Sequence, residues 1–245
     1  MLRVPLVRRL CLGAAVLVLG HVVGLALEEV GGFSREYGVL RQLNLNGEAN
    51  LAAWFYSTLL LLCAALTAVL AVAARARGGV LARRWGVLAA VLLVMAVDEA
   101  AQLHDMANGP LRRFLDIGFG AFYYAWLLPA VCGLVGGVLY FAPLVRSLGP
   151  AVAARLVLAA ALYFGGAVGL EMVSGFALAA GRGSLLYQGV MTVEEVLELA
   201  GLLVLVGTLL ALGRQQGVGL LLRLSDSGVQ VASTVESPVR WESEG

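Results

Sequence analysis

The chain has 245 residues, 60% of them hydrophobic and only 13% charged, with a formal net charge of +1. Soluble domains carry about a quarter charged residues and lack repeated apolar runs near 20 residues, so that class is excluded, and so small a net charge does not suggest a nucleic-acid partner. All 17 basic residues are arginine. Without lysine the chain can build neither a Schiff base to retinal or pyridoxal phosphate nor a Walker-type phosphate loop.

Six apolar runs follow in chain order, at 10–28, 51–74, 85–106, 117–142, 152–178 and 188–212. Each is long enough to cross about 30 Å at about 1.5 Å per residue. The expectation is an all-α fold, a polytopic transmembrane bundle of about six spans over residues 1–213. A cytoplasmic tail at 214–245 follows, its last twenty or so residues poorly ordered. The first run also has the look of a signal peptide, but its length and its Gly20-xxx-Gly24 pair favour an uncleaved span.

Twelve of the 17 arginines fall on the side of the N terminus; five, Arg35, Arg41, Arg112, Arg113 and Arg182, fall on the other. By the positive-inside rule both termini are cytoplasmic, and the protein is expected in the inner (plasma) membrane of a bacterium. Trp54, Tyr56, Phe119, Tyr123 and Tyr124 sit near the predicted outer boundaries, as an aromatic belt would. The outer segment 29–50 carries Phe33, Tyr37, Leu40, Leu43 and Leu45 among polar residues, which predicts a short amphipathic helix on the membrane surface. Close packing is signalled by Gly20-xxx-Gly24, by Gly133-xxx-Gly137 and by Ala161, Gly165 and Gly169. Such faces suit the lipid bilayer as partner and also homo-oligomers or a larger membrane complex. Cys11, Cys63 and Cys132 lie in three separate runs without a CxxC pair, so they read as packing residues.

Six acids lie inside the apolar runs: Asp98, Glu99, Glu171, Glu194, Glu195 and Glu198. A charged carboxylate at mid-membrane costs about 2.5–3.5 kcal/mol on insertion scales, so these acids must face one another, a metal, protons or water. Their predicted depths coincide. Counting from the outer ends of three spans, all lie roughly 9–15 Å in, in the outer half of the bilayer. On helical wheels Asp98, Gln102 and Asp105 share a face, whereas His104 points away from Asp98 by more than about a right angle.

The leading reading is a divalent-cation site. Asp98, Glu99, Glu171, Glu194, Glu195 and Glu198 would be ligands, with Glu99 or Glu195 as general base on metal-bound water. Gln102, His104 and Asp105 would support the ligands or line an access path. The ExxH pairs of di-iron bundles are missing. Clustered carboxylates also share protons, so a proton- or cation-coupled transporter is the second reading, and a non-enzymatic subunit of a complex the third. Haem b held by His21 and His104, the only two histidines, is a remote fourth, since their depths differ. Whether the protein is an enzyme stays open.

The segments NGEANLAAWFYSTLLL (46–61) and VDEAAQLHD (97–105) resemble stretches of uncharacterised bacterial multi-pass membrane proteins that carry an acidic DE pair followed by histidine and another acid. That resemblance implies a membrane bundle and no particular activity. The membrane hydrolases that include alkaline ceramidases rely on several histidines and an HxxxH pair, which this chain lacks.

Overall fold

In hydrocarbon every backbone N–H and C=O needs an internal partner, so apolar runs of this length become helices. The structure, a computed structural model, describes residues 4–225 and 228–235, with side chains over 6–217. In chain order the elements are α1 (Val4–Gly31), the short α2 (Gly38–Gln42), α3 (Leu51–Ala76), α4 (Ala82–Ala101), α5 (Leu103–Leu115), α6 (Leu127–Arg146) and α7 (Pro150–Phe164). A π-helical turn (Gly165–Leu170) then leads into α8 (Glu171–Ala177), a 3-10 turn (Leu178–Ala180) and α9 (Leu185–Gln215). Beyond the bundle, β1 (Val218–Ser225) and β2 (Gly228–Val235) pair antiparallel as a hairpin. The part of the tail expected to be disordered at 226–227 and 236–245 lies outside the described residues.

The membrane domain is an all-α bundle. Five helical segments are long and apolar enough to cross a membrane, and six if the bent pair α4–α5 is one span. Their alternation gathers residues 32–50, 102–126 and 181–184 at one end, where Arg35 Nη2 donates to Gln188 Oε1 (3.2 Å). At the other end Arg77 Nη2 donates to the carbonyl of Gln216 (2.6 Å).

Two expected spans are corrected. The third, expected at 85–106, ends at Ala101, because Gln102 takes a left-handed backbone and α5 departs at 79°. The fourth, expected at 117–142, begins only at Leu127. Asp116 closes α5 at φ 53°, and Gly120 at φ 95° keeps the following residues out of helix. The 29–50 segment forms only the five-residue α2 and then folds inward: Leu45 is buried, and Leu43 packs over Gly20.

α3 and α9 make the centre. Leu59, Leu60 and Cys63 of α3 meet Leu202, Val206 and Leu209 of α9, with Trp85 and Leu92 of α4 alongside. Between apolar helices in lipid the attraction is van der Waals packing, so close approach decides strength. The closest contacts of a long span's glycine with the backbone of α7 or α9 fall at Gly166 and Gly201, while Gly175 of α8 approaches the backbone of Gly120. A Cβ on Gly201 would lie 2.7 Å from the backbone nitrogen of Tyr163 and 2.8 Å from the carbonyl oxygen of Ala159. Gly20 and Gly24 instead receive Leu43, Arg35 and Leu40 of the 32–50 segment, and Gly133 meets no neighbour within 4 Å.

Gly→Ala ordinarily stabilises a helix by about 1 kcal/mol. Gly201→Ala is expected to reverse that sign and lower the thermal midpoint in detergent, because overpacking costs about 1–3 kcal/mol. Gly213→Ala, with nothing within 4 Å among the described residues, serves as control and should leave the midpoint unchanged or raised. Equal shifts in the two variants would contradict the packing described.

Candidate functional site

The break after α4 organises one half of the site. Gln102 sits at φ 55°, ψ 43°, a region that side-chain-bearing residues occupy rarely. Asp98 holds the chain there. Its Oδ1 accepts the N–H of His104 (2.9 Å), and its Oδ2 lies 2.8 Å from His104 Nδ1. Asp98 thereby satisfies a free N–H in the first turn of α5, as a capping carboxylate does. A continuous helix would turn His104 away; the break brings it back. Asn108, Gly109 and Pro110 lie within α5.

From His104 the contacts run in two directions. Outward, Nε2 faces Asp105 Oδ1 at 3.9 Å. Glu48, just before α3, shares a hydrogen bond with Asp105, which together with partial burial and the Asp105 charge pushes its carboxyl above the usual glutamate range. Inward, the His104 ring packs tilted on Trp126 with centroids 4.8 Å apart. Asn108 fixes that indole: its Oδ1 accepts the Trp126 backbone N–H (3.2 Å), while its Nδ2 donates to Asp105 Oδ1 (3.1 Å). Trp126 Nε1 donates to Glu171 Oε1 (3.0 Å).

The other half belongs to α9. Glu194 is only 5% exposed, and its Oε2 has no hydrogen-bond partner among the described residues. The carbonyl of Glu195 accepts the hydroxyl of Tyr56 (2.7 Å), whose side chain is buried. The charges of Glu195, Glu194, Glu99 and Glu171 all act on Glu198, and Glu99 and Glu171 act on Glu195. No arginine is among the charged groups acting on Glu99, Glu171, Glu194, Glu195 or Glu198. The π-helical turn serves this approach. A Cβ on its Gly166 would lie 2.7 Å from the Glu194 carbonyl oxygen and 2.8 Å from Glu198 Cγ, so only glycine lets the fifth span come this close. Such π turns add a residue to the helix and re-aim the side chains beyond them, here that of Glu171.

The six acids therefore divide. Asp98 turns to His104 and uses both oxygens there. Of the other five, Glu99, Glu171, Glu194 and Glu195 are the charges that act on Glu198. Among the described residues no group of three His, Cys, Asp or Glu side chains is arranged to hold a metal ion. The haem pairing does not fit the donor set. His21 Nδ1 accepts the N–H of Leu45 (3.1 Å) and Nε2 bonds Thr192 Oγ1 (3.0 Å), leaving no free lone pair, while His104 is taken by Asp98. Tyr56, expected in the aromatic belt, is buried beside the acids, whereas Trp54 faces outward as expected. Trp126 and Asn108 join the site without a signal in the sequence. Trp126 and Asn108 meet only because α5 folds back, and no local spacing marks that.

Residues 9–212 match the family described as a domain of unknown function (DUF8692), and the chain belongs to that family. No curated protein and no solved structure matches it.

The Glu48–Asp105 pair sets a pH dependence. A carboxyl whose folded value is raised binds its proton more tightly in the folded state. Its contribution is therefore complete below the ordinary glutamate value, 4.5, and is lost as pH rises through the raised one. The thermal midpoint should decline over that window in the native chain, and Glu48→Gln should flatten the decline. An unchanged decline in Glu48→Gln would show that Glu48 does not share a proton with Asp105.

Proposed function

We propose that Glu99, Glu171, Glu194, Glu195 and Glu198 form one cation-binding site inside the membrane, occupied by protons, and that the protein exchanges them with the side bearing Glu48 and Asp105. The observation that carries this reading is the free, buried Oε2 of Glu194 among four other acids. A buried carboxylate oxygen with no donor costs several kcal/mol unless it is neutralised. Neither arginine nor histidine is among the charged groups acting on Glu194 or Glu198, so we take the neutralising group there to be a bound cation, and the smallest that fits without moving a side chain is the proton. Intramembrane acids of this kind serve proton relays and coupled transport.

The arginine bias supports assigning this side to the extracytoplasmic face of a bacterial inner membrane, with both termini cytoplasmic. The role is then proton coupling in a transporter or in a subunit of a membrane complex. Glycine faces that meet no neighbour in the bundle, such as Gly133 on α6, suit assembly with a second protein or another copy.

A divalent cation is the second reading, favoured by the same free Glu194 oxygen. It would take Glu99, Glu194, Glu195 and Glu198 as ligands, with Glu195 or Glu99 as general base on a bound water. It requires the side chains to regroup, since no three of them are arranged for a metal among the described residues.

Infrared difference spectroscopy of the full chain in nanodiscs separates the two. Protonated carboxyl bands that shift in D2O and weaken in Glu198→Gln are expected at neutral pH. Their absence, together with stoichiometric metal by element-resolved analysis of protein purified without chelator, would overturn the proton reading in favour of the metal.

A further inference from the structure

We propose that His104 is the proton port of this site, taking protons from the Glu48–Asp105 pair on the loop side and passing them inward through Asp98. The inference rests on the proton-binding reading above and adds a route to it.

The geometry is that of a shuttle. The two nitrogens of one imidazole face two carboxylates: Nδ1 lies 2.8 Å from Asp98 Oδ2, and Nε2 lies 3.9 Å from Asp105 Oδ1. The ring is partly exposed, so it stands between water and the interior. The charged and titratable groups facing it come from every neighbouring element: Asp98 and Glu99 of α4, Asp105 of its own helix, Glu171 of α8 and Glu48 before α3. On the inner side Asp98 and His104 both act on Glu99, and Glu99 acts in turn on Glu195 and Glu198. In the proposal these acids carry the proton on from Asp98 to the free oxygen of Glu194.

The step balances without any co-reactant. In the resting tautomer Nδ1–H donates to Asp98 and Nε2 holds a lone pair. Protonated Asp105 gives its proton to Nε2, and the imidazolium releases its Nδ1 proton to Asp98 Oδ2. Asp105 regains a proton from Glu48, itself in equilibrium with solvent. Asp98 passes its proton to Glu99. Rotation of the partly exposed ring about its Cβ–Cγ bond then turns Nδ1 to solvent, where one proton taken up on Nδ1 and one released from Nε2 restore the tautomer with no net proton moved, and rotation back completes the cycle. Histidine suits this role because its ordinary pKa, about 6.5, lies close to physiological pH. The tilted contact with Trp126 orients the ring, and Trp126 itself, a donor only, carries no proton through.

The break after α4 gains a purpose here. Asp98 Oδ1 is held by the backbone N–H of His104 and not by its side chain. The capping contact therefore survives His104→Gln, which removes the shuttle and leaves the bend in place.

The test is the rate at which the buried carboxyls exchange after a jump into D2O, read by time-resolved infrared spectroscopy on the full chain in nanodiscs. His104→Gln and Asp105→Asn are each expected to slow exchange by about 10²-fold, the lower end of what a positioned acid–base group contributes, while the carboxyl band at equilibrium keeps its intensity. Added imidazole is expected to restore part of the rate in His104→Gln, which a purely structural role would not allow. Native exchange rates in both variants, with the band intact, would overturn the port and leave the site standing. Absence of the band in the native chain would overturn both. Should His104→Gln not assemble, Asp105→Asn alone decides, since its side chain caps no helix.

Discussion

An acidic side chain in hydrocarbon is tolerated only when something meets its charge, and this constraint shapes the rest of the molecule. Each such group costs about 2.5–3.5 kcal/mol on insertion scales, while the net stability of a domain is only about 5–15 kcal/mol. Five acids cannot be left to lipid. The bundle buries Glu171 and Glu194, and in the proposed site Glu194, Glu195 and Glu198 of α9 are met by Glu99 of α4 and Glu171 of α8. It gives Glu171 the indole N–H of Trp126 and sets the Tyr56 hydroxyl beside Glu195. The π-helical turn and the bare Gly166 arise from the same need, because the fifth span must come against α9 at the level of Glu194 and Glu198.

The second organising feature is the broken span. In lipid a helix gives up backbone hydrogen bonds only where other groups re-satisfy them. Asp98 supplies that at Gln102 and in doing so recruits His104. The next segment folds back far enough for Asn108 to hold Trp126. One carboxylate thus links the backbone break, the aromatic contact and the groups that face solvent. Nearby, the 32–50 segment is tied down through buried Arg35, which pairs with Glu28 and also bonds Asn44 and Gln188. The loop side of the bundle is therefore rich in fixed polar contacts, whereas α6 turns Val135, Val138 and Leu139 outward.

Much of this is legible in the chain. Runs of about 20 apolar residues specify helices whatever their neighbours, and acids within such runs must face inward. The bundle can therefore be read directly, and Glu99, Glu171, Glu194, Glu195 and Glu198 stand out in the sequence as the acids from which the proposed site is built. The features that escape depend on tertiary contacts. Helical-wheel angles assume a continuous helix, and the break at Gln102 voids them for His104. Glycine spacing reports only that a close approach is possible. Gly166 and Gly201 make theirs because Glu194 and Tyr163 lie opposite, while Gly133 has nothing opposite. Tyr56 has the sequence position of a boundary aromatic, but its side of α3, set by α9, buries it. The 117–126 stretch is apolar enough for a span; Asp116 and Gly120, both with positive φ, keep it out of helix.

The central claim is that acids from different helices share one site. A double-mutant cycle between Glu99→Gln on α4 and Glu195→Gln on α9, read by thermal unfolding in detergent, tests this most directly. Groups within one network couple by about 0.5–3 kcal/mol, whereas independent sites add within about 0.3–0.5 kcal/mol. A shared site predicts clear coupling, with the double variant far from the sum of the single ones. Strict additivity would contradict it and return each glutamate to a separate structural role.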